Sequence, residues 1–151
     1  MSMMDSSFKK IAVIGAGTMG SGIAAQIANA GHDVLLLDLP AKHADTPSPA
    51  ERAIERLLAS DPPQLMHKRN ASRIITGTIT DDFDRLADCD WIIEAVVERL
   101  DIKKDLYQRL DAVIGPDCIV SSNTSTIPIR LLVEDMPVSY THLRAHETSL
   151  H

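Results

Sequence analysis

Short runs of isoleucine, valine and leucine recur along the chain and alternate with segments whose apolar residues have helical spacing. The runs predict buried strands at residues 10–14, 33–38, 73–79, 91–97 and 118–121. The spaced segments predict helices at residues 19–30, 49–60, 81–87, 100–114 and 128–133. Strands that alternate with helices are joined by right-handed crossovers, so the pattern predicts an α/β fold with a doubly wound parallel sheet.

Polar and special residues mark where these elements begin and end. Ser48 can cap the second helix, Pro49 suits its first turn, and Glu51 stands where a capping box requires an acid. Gly31 and the Asp61-Pro62-Pro63 segment stop the first and second helices. Within the third strand, Gly77 marks a point where the pairing can be interrupted.

Composition narrows the class of protein. The chain has 151 residues, of which 44% are hydrophobic and only 3% aromatic, so one core of aliphatic side chains is expected. The net charge of −6 disfavours binding to nucleic acid. No apolar run reaches the ~20 residues that span a bilayer, and the first ten residues do not resemble a signal peptide. We therefore expect a cytoplasmic protein that binds neither nucleic acid nor membrane, with Cys89 and Cys118 as inert buried thiols.

A glycine motif follows the first strand directly and opens the first helix. Residues 15–20 read G-x-G-x-x-G, and each glycine has a physical task in binding a dinucleotide. Gly15 permits the tight turn, Gly17 lets a pyrophosphate approach the backbone, and Gly20 lets the helix pack close to the sheet. The context predicts a Rossmann-type site at Gly15, Ala16, Gly17, Thr18, Met19 and Gly20.

Asp38 closes the second strand about twenty residues after the glycines. A carboxylate at that place can accept hydrogen bonds from the adenosine ribose, and it repels a 2′-phosphate. The only cation close behind it in the sequence is Lys42, on a loop. These features favour NAD over NADP, the alternative being that Asp38 merely caps a turn.

Polar residues also stand at the ends of the two later strands. Ligands of open α/β sheets bind outside the carboxyl ends of the strands, so Glu94, Glu98 and Lys103 are candidates for the site. The alternative for Glu98 and Lys103 is a solvated helix start with incidental pairing. Hydroxyls and the Asn123 amide in residues 121–126 can hold the nicotinamide and a substrate oxygen, or simply satisfy their own loop.

Three segments together resemble the 3-hydroxyacyl-CoA dehydrogenase family: KKIAVIGAGTMGSGIAAQIANAGHDVLLLD, DCDWIIEAVVERLDIKKDLYQRL and IVSSNTSTIPIRLL. Residues 67–91 resemble the variant that is fused to an enoyl-CoA hydratase-like domain. The resemblance implies that NAD is the cofactor, that Glu98 and Lys103 contact it, and that Ser125 hydrogen-bonds the substrate's 3-oxygen. It further implies oxidation of L-3-hydroxyacyl-CoA to 3-ketoacyl-CoA in fatty-acid β-oxidation, by a homodimeric parent that binds acyl-CoA.

The sequence departs from this family after residue 137. Family members continue into a strand that ends in His-Phe-Phe-Asn-Pro, whose histidine is the general base, and then into a helical domain. Here Thr141-His142 is followed by Leu-Arg-Ala, and no apolar periodicity remains. We therefore expect residues 1–137 to form the NAD-binding domain, residues 138–151 to be a non-native tail, and both the last strand and the helical domain to be missing.

Three alternatives remain at the level of sequence. His146, Glu147 and His151 suggest zinc, but their spacing is one residue longer than H-E-x-x-H, so no metal site is expected. A non-catalytic module that senses NAD(H) would use the same glycines. An FAD-binding fold would as well, although the family segments oppose it.

Overall fold

A computed structural model describes residues 10–123 and 143–145 of the chain. Six strands form one sheet: β1 (Ile11–Ile14), β2 (Val34–Asp38), β3 (Ile74–Thr78), β4 (Trp91–Glu94), β5 (Ile119–Ser122) and β6 (Leu143–Ala145). The strand order is β3-β2-β1-β4-β5-β6, and every neighbouring pair is parallel. This is the order of a Rossmann fold, so the predicted doubly wound sheet is confirmed.

Three helices cover the two faces of the sheet: α1 (Thr18–Asn29), α2 (Pro49–Ala59) and α3 (Leu100–Val113). Short 3-10 helices at Lys68–Arg73 and Phe83–Asp88 connect the remaining strands. Alternate strand residues point to opposite faces, which divides the core into two clusters. Ala12 and Leu35 pack with α3 on one face, whereas Val13 and Leu36 pack with α1 and α2 on the other.

The helix-start signal at residue 48 is confirmed in full. Ser48 accepts a hydrogen bond from the Glu51 amide, and the Glu51 carboxylate accepts one from the Ser48 amide at 2.9 Å. The box satisfies two amide groups that have no partner within the helix. It fixes the position at which α2 begins.

Two strands differ from the expected ones. β4 ends at Glu94, not Val97, because the Glu94 carboxylate accepts a hydrogen bond from the Val96 amide at 2.8 Å and takes it out of the sheet ladder. β3 runs through Gly77 without interruption, and Gly77 pairs with Leu37. A Cβ atom at Gly77 would lie 2.8 Å from Leu37 Cδ2, so the glycine allows a close approach.

A short sixth strand follows the five strands that the sequence predicts. Residues 143–145 form β6, which pairs in parallel with Val120, Ser121 and Ser122 of β5. Backbone groups along the edge of β5 can pair with a short segment whatever its side chains are, so this strand has no hydrophobic signature. The predicted helix at 128–133 and the boundary at residue 137 lie outside the described residues.

Within the described ranges, no helix has the length and apolar character needed to cross a membrane. The same ranges contain no cluster of three side chains suited to a metal ion. His146, Glu147 and His151 lie beyond them.

Both cysteines are buried free thiols, as expected. Burial raises the pKa of Cys89 to about 11 and that of Cys118 to about 12. At pH 8 we expect native Cys89 to react with a thiol reagent about a hundredfold more slowly than an exposed cysteine, and Cys118 about a thousandfold more slowly, because so little thiolate is present. Stopped-flow labelling measures the rates, and the urea-unfolded chain is the control. Rapid labelling of the native protein would contradict the prediction.

Candidate functional site

The glycine loop turns sharply between β1 and α1. Gly15 has φ of +112°, a conformation that a residue with a Cβ rarely adopts, and its amide donates to the Leu37 carbonyl at 2.8 Å. A Cβ atom on Gly15 would overlap the Ala95 carbonyl, and one on Gly20 would overlap the Gly15 carbonyl. Both glycines therefore permit close approaches of backbone to backbone, as their places in the motif predict.

Gly17 differs from these two because a Cβ atom there would meet no protein atom within 4 Å. It is the N-cap of α1, it supplies no side-chain cap, and its carbonyl accepts the Ser21 amide at 2.9 Å. The space above Gly17 therefore adjoins the positive end of a helix dipole. An anion placed there would meet helix-end N–H groups that have no partner within the helix.

A cavity of 760 Å³ opens beside Gly17. Residues of the glycine motif and the end of β2 form one wall, among them Gly15, Gly17, Thr18, Met19 and Asp38. The loop after β4 and the start of α3 form the other, among them Ala95, Val96, Val97 and Ile102. The cavity lies where the strand order reverses between β1 and β4, which is the place for a dinucleotide in such a sheet.

Asp38 connects the end of β2 to the glycine loop. Its Oδ2 accepts a hydrogen bond from the Ala16 amide at 2.6 Å, and its Oδ1 accepts one from the Leu39 amide at 2.6 Å. The carboxylate also lines the cavity. Asp38 thus caps the turn and also borders the cavity, whereas its contact with an adenosine ribose stays a prediction.

Arg56 is a site residue that the sequence did not suggest. Its Nη2 donates to the Ala16 carbonyl at 2.8 Å, across forty positions of sequence. Asp38 and Arg56 together hold both backbone polar groups of Ala16. The capping box could place α2 along the chain, but only the packing of α2 against α1 brings this guanidinium to the glycine loop.

Glu94 is fully buried at the end of β4, and several donors surround its carboxylate. Lys103 Nζ lies 3.1 Å from Oε2, Tyr107 donates its hydroxyl to Oε1 at 2.7 Å, and Ser122 donates its hydroxyl to Oε1 at 2.6 Å. The Val96 amide donates to Oε2 at 2.8 Å. A buried acid requires such partners, because an isolated charge in the interior costs several kcal/mol.

Lys103 has the opposite environment from a solvated helix start. Its side chain is 0% exposed and pairs with Glu98 Oε1 at 2.6 Å as well as with Glu94. The alternative of incidental surface pairing is therefore wrong for Lys103, whereas the Glu98 side chain remains 33% exposed. The spacing of Lys103 from Leu100 and Leu106 places it on the apolar face of this helix, but spacing cannot show which acids pair with it there. Direct contact of Lys103 or Glu98 with NAD stays a prediction.

Asn123 follows β5 immediately, and its backbone amide donates a hydrogen bond to the Glu94 carbonyl at 2.8 Å. The ends of β4 and β5 are therefore adjacent, as parallel pairing requires. Ser125 lies outside the described residues, so its contact with the substrate also stays a prediction.

Comparison with known proteins agrees with this geometry. The family model described as "3-hydroxyacyl-CoA dehydrogenase, NAD binding domain" matches residues 10–148. A Deinococcus radiodurans protein named as a probable 3-hydroxyacyl-CoA dehydrogenase is 47% identical over 128 residues, which cover 83% of this chain and 37% of that protein. A Rickettsia felis protein whose name describes a fatty acid oxidation complex trifunctional enzyme is 43% identical over 135 residues, covering 89% of this chain and 19% of that protein.

The crystal structure of 3-hydroxybutyryl-CoA dehydrogenase from Escherichia coli K12 superposes with a TM-score of 0.75 at 32% identity. The match covers 93% of this chain and 29% of that one. The chain thus spans less than half the length of the curated relatives named above. The family match agrees with two features of the structure, which are the glycine loop that is open above Gly17 and the acid at the end of β2. The chain belongs to the family of NAD-binding domains of 3-hydroxyacyl-CoA dehydrogenases.

Proposed function

We propose that this chain is the cofactor-binding part of an L-3-hydroxyacyl-CoA dehydrogenase. The diphosphate of NAD(H) would lie over Gly17 and the first amides of α1, with the adenosine ribose against Asp38. The single observation that carries this proposal is the open space above Gly17, which is bordered by helix-end amides and by the Asp38 carboxylate. Titration of the purified chain with NADH tests it, since a chain that fails to bind NADH would contradict the proposal.

Bound NAD supplies the acceptor for the hydride that leaves C3 of the hydroxyacyl substrate. The chain's own residues bind and orient. Asp38 and Arg56 hold the Ala16 peptide groups, so the loop keeps one shape beside the phosphates. Asn123 would border the nicotinamide, and Ser125 would donate a hydrogen bond to the substrate's 3-oxygen. Ser125 cannot act unaided as the base, because the pKa of a serine hydroxyl is too high.

For the full-length protein, we propose acyl-CoA as the substrate class, a homodimeric state and a cytoplasmic location. The relatives named as dehydrogenases of CoA esters and as part of a trifunctional enzyme support the substrate class. We also propose a hydratase-like domain elsewhere in the full-length protein, and the name of the trifunctional relative supports it. The dimer rests on the family resemblance, and the location rests on the two unpaired cysteines, which fit a reducing compartment.

Asp38 is expected to set the preference for NADH over NADPH. Asp38→Ala should weaken NADH binding by about 1–3 kcal/mol, because a charge-assisted hydrogen bond to the ribose is lost. NADPH should lose less, since the repulsion of its 2′-phosphate is also removed. Fluorescence titration with both cofactors measures the ratio.

The control for this change is Asp33→Ala at the other end of β2, where the exposed carboxylate faces the Arg73 guanidinium at 3.5 Å. That variant should bind both cofactors like the wild type. Equal affinity of the unaltered chain for NADH and NADPH would show that Asp38 does not face the ribose.

The 151-residue chain by itself is expected to bind NADH without oxidising 3-hydroxybutyryl-CoA. The reaction needs a base for the hydroxyl proton, and a positioned histidine typically contributes 10²–10⁴-fold. The 151 residues contain no His-Phe-Phe-Asn-Pro segment. An NADH-formation assay should therefore show no rate above background, and an extension through that segment and the helical domain should restore activity. Turnover by the chain that disappears in His142→Ala would overturn this prediction.

A further inference from the structure

Both oxygens of the buried Glu94 carboxylate accept hydrogen bonds from groups of the protein itself. Oε1 receives the hydroxyls of Tyr107 and Ser122, Oε2 receives the Val96 amide, and the Lys103 ammonium lies within 3.3 Å of both oxygens. Charge-assisted hydrogen bonds are about twice as strong as neutral ones, and low polarity around a buried group strengthens them further. The position of each donor is therefore fixed relative to this one carboxylate.

Two of these donors, Lys103 and Ser122, connect Glu94 to residues that follow the strand ends. Lys103 also binds Glu98 at 2.6 Å, and Glu98 is the member of this group that reaches the surface. Ser122 is the last residue of β5 and directly precedes Asn123, whose backbone amide donates a hydrogen bond to the Glu94 carbonyl. Glu98 and Asn123 follow β4 and β5, which lie on the opposite side of β1 from Asp38. In such a sheet each half holds one nucleotide, so these two residues belong to the nicotinamide half.

We infer that Glu94 is a positioning residue, which fixes Glu98 through Lys103 and fixes Asn123 through Ser122 so that both meet the nicotinamide half of the cofactor. This inference rests on the proposed function. Glu94 itself is buried and does not touch the cofactor in this arrangement. Its effect is selective, because the adenosine half is held by Asp38 and by the glycine loop on the other side of β1.

Tyr107 supplies a matched control for Ser122. Both hydroxyls are on fully buried residues, and both donate to the same oxygen, at 2.7 Å and 2.6 Å. Tyr107→Phe and Ser122→Ala therefore remove equivalent hydrogen bonds. Only Ser122 stands next to a residue predicted to contact the nicotinamide, whereas Tyr107 lies within α3.

The experiment measures the affinity of each variant of the full chain for NADH and for ADP-ribose, which lacks the nicotinamide ring. Ser122→Ala should bind NADH about tenfold more weakly, because a displaced Asn123 would lose its contact with the nicotinamide, whereas ADP-ribose should bind within about twofold of wild type. The fluorescence enhancement of bound NADH, which reports the surroundings of the ring, should fall as well. Tyr107→Phe should leave both affinities and the enhancement within about twofold.

Equal effects of Ser122→Ala and Tyr107→Phe on NADH would overturn the inference, and so would equal losses of NADH and ADP-ribose in Ser122→Ala. If Ser122→Ala does not fold, Ser122→Cys keeps the side-chain volume, lacks a strong donor and serves the same comparison. An unaltered chain that binds neither ligand would instead contradict the proposed function, so the two failures are distinguishable.

Discussion

Gly17→Val is expected to abolish NADH binding while leaving the fold intact. A Cβ atom at Gly17 meets no protein atom within 4 Å, so the valine has room in the ligand-free chain. The same side chain occupies the space that the diphosphate needs beside the first turn of α1. Fluorescence titration should show no binding at NADH concentrations that saturate the wild type, and the far-ultraviolet circular dichroism should be nearly unchanged.

Gly115→Val is the matched control for this variant. Gly115 follows α3 far along the chain from the glycine loop, and a Cβ atom there would lie 3.9 Å from its nearest neighbour, the Ala87 carbonyl oxygen. The control should bind NADH like the wild type. Retained binding in Gly17→Val would mean that the loop does not hold the phosphates.

Gly20→Val is expected to have the opposite effect: it should lower the free energy of unfolding even when no ligand is present. Its Cβ would overlap the carbonyl of Gly15, and neither backbone segment can move without displacing α1 from the sheet. Overpacking of side chains typically costs about 1–3 kcal/mol, and an overlap with backbone should cost more. Urea denaturation of the ligand-free variant measures the free energy of unfolding directly.

Gly22→Ala, in the same helix, is the control for Gly20→Val. The nearest atom to its Cβ would be the end of the Gln64 side chain at 3.3 Å, which can move aside. Alanine also has a higher helix propensity than glycine, by about 1 kcal/mol, so this variant should be at least as stable as the wild type. A Gly20→Val chain that unfolds at the wild-type urea concentration would show that α1 does not pack closely at this point.

Much of the fold and of the first half of the site could be predicted from local patterns. The glycine motif, Asp38 and the Ser48 capping box each occupy a few neighbouring positions, and each has one physical task that requires that residue type. Their structural places are confirmed for this reason. The parallel, doubly wound sheet follows from the alternation of strands and helices together with the handedness of crossovers, whereas the strand order is seen only in the structure.

The second half of the site depended on contacts between distant elements. The sequence allowed Lys103 to be a solvated residue at a helix start, although its spacing from Leu100 and Leu106 places it on the apolar face of that helix. Spacing alone does not show which acids pair with a lysine on that face. The structure covers it and places it between Glu94 and Glu98. Arg56 was missed for the same reason, since its partner Ala16 lies forty positions away. β6 was missed because a short edge strand pairs through backbone groups, whatever the side-chain pattern.

A parallel α/β sheet with a glycine loop for a dinucleotide is evident from the sequence, because it depends on the spacing of apolar residues and on glycines with unusual backbone freedom. Which polar side chains act together becomes evident only from the packed structure. Glu94 acquires its four partners from β5, α3 and its own loop, and burial turns these contacts from negligible surface pairs into a fixed network. The strength of an interaction between charged groups depends on the polarity of their surroundings, and those surroundings form only when the helices pack on the sheet.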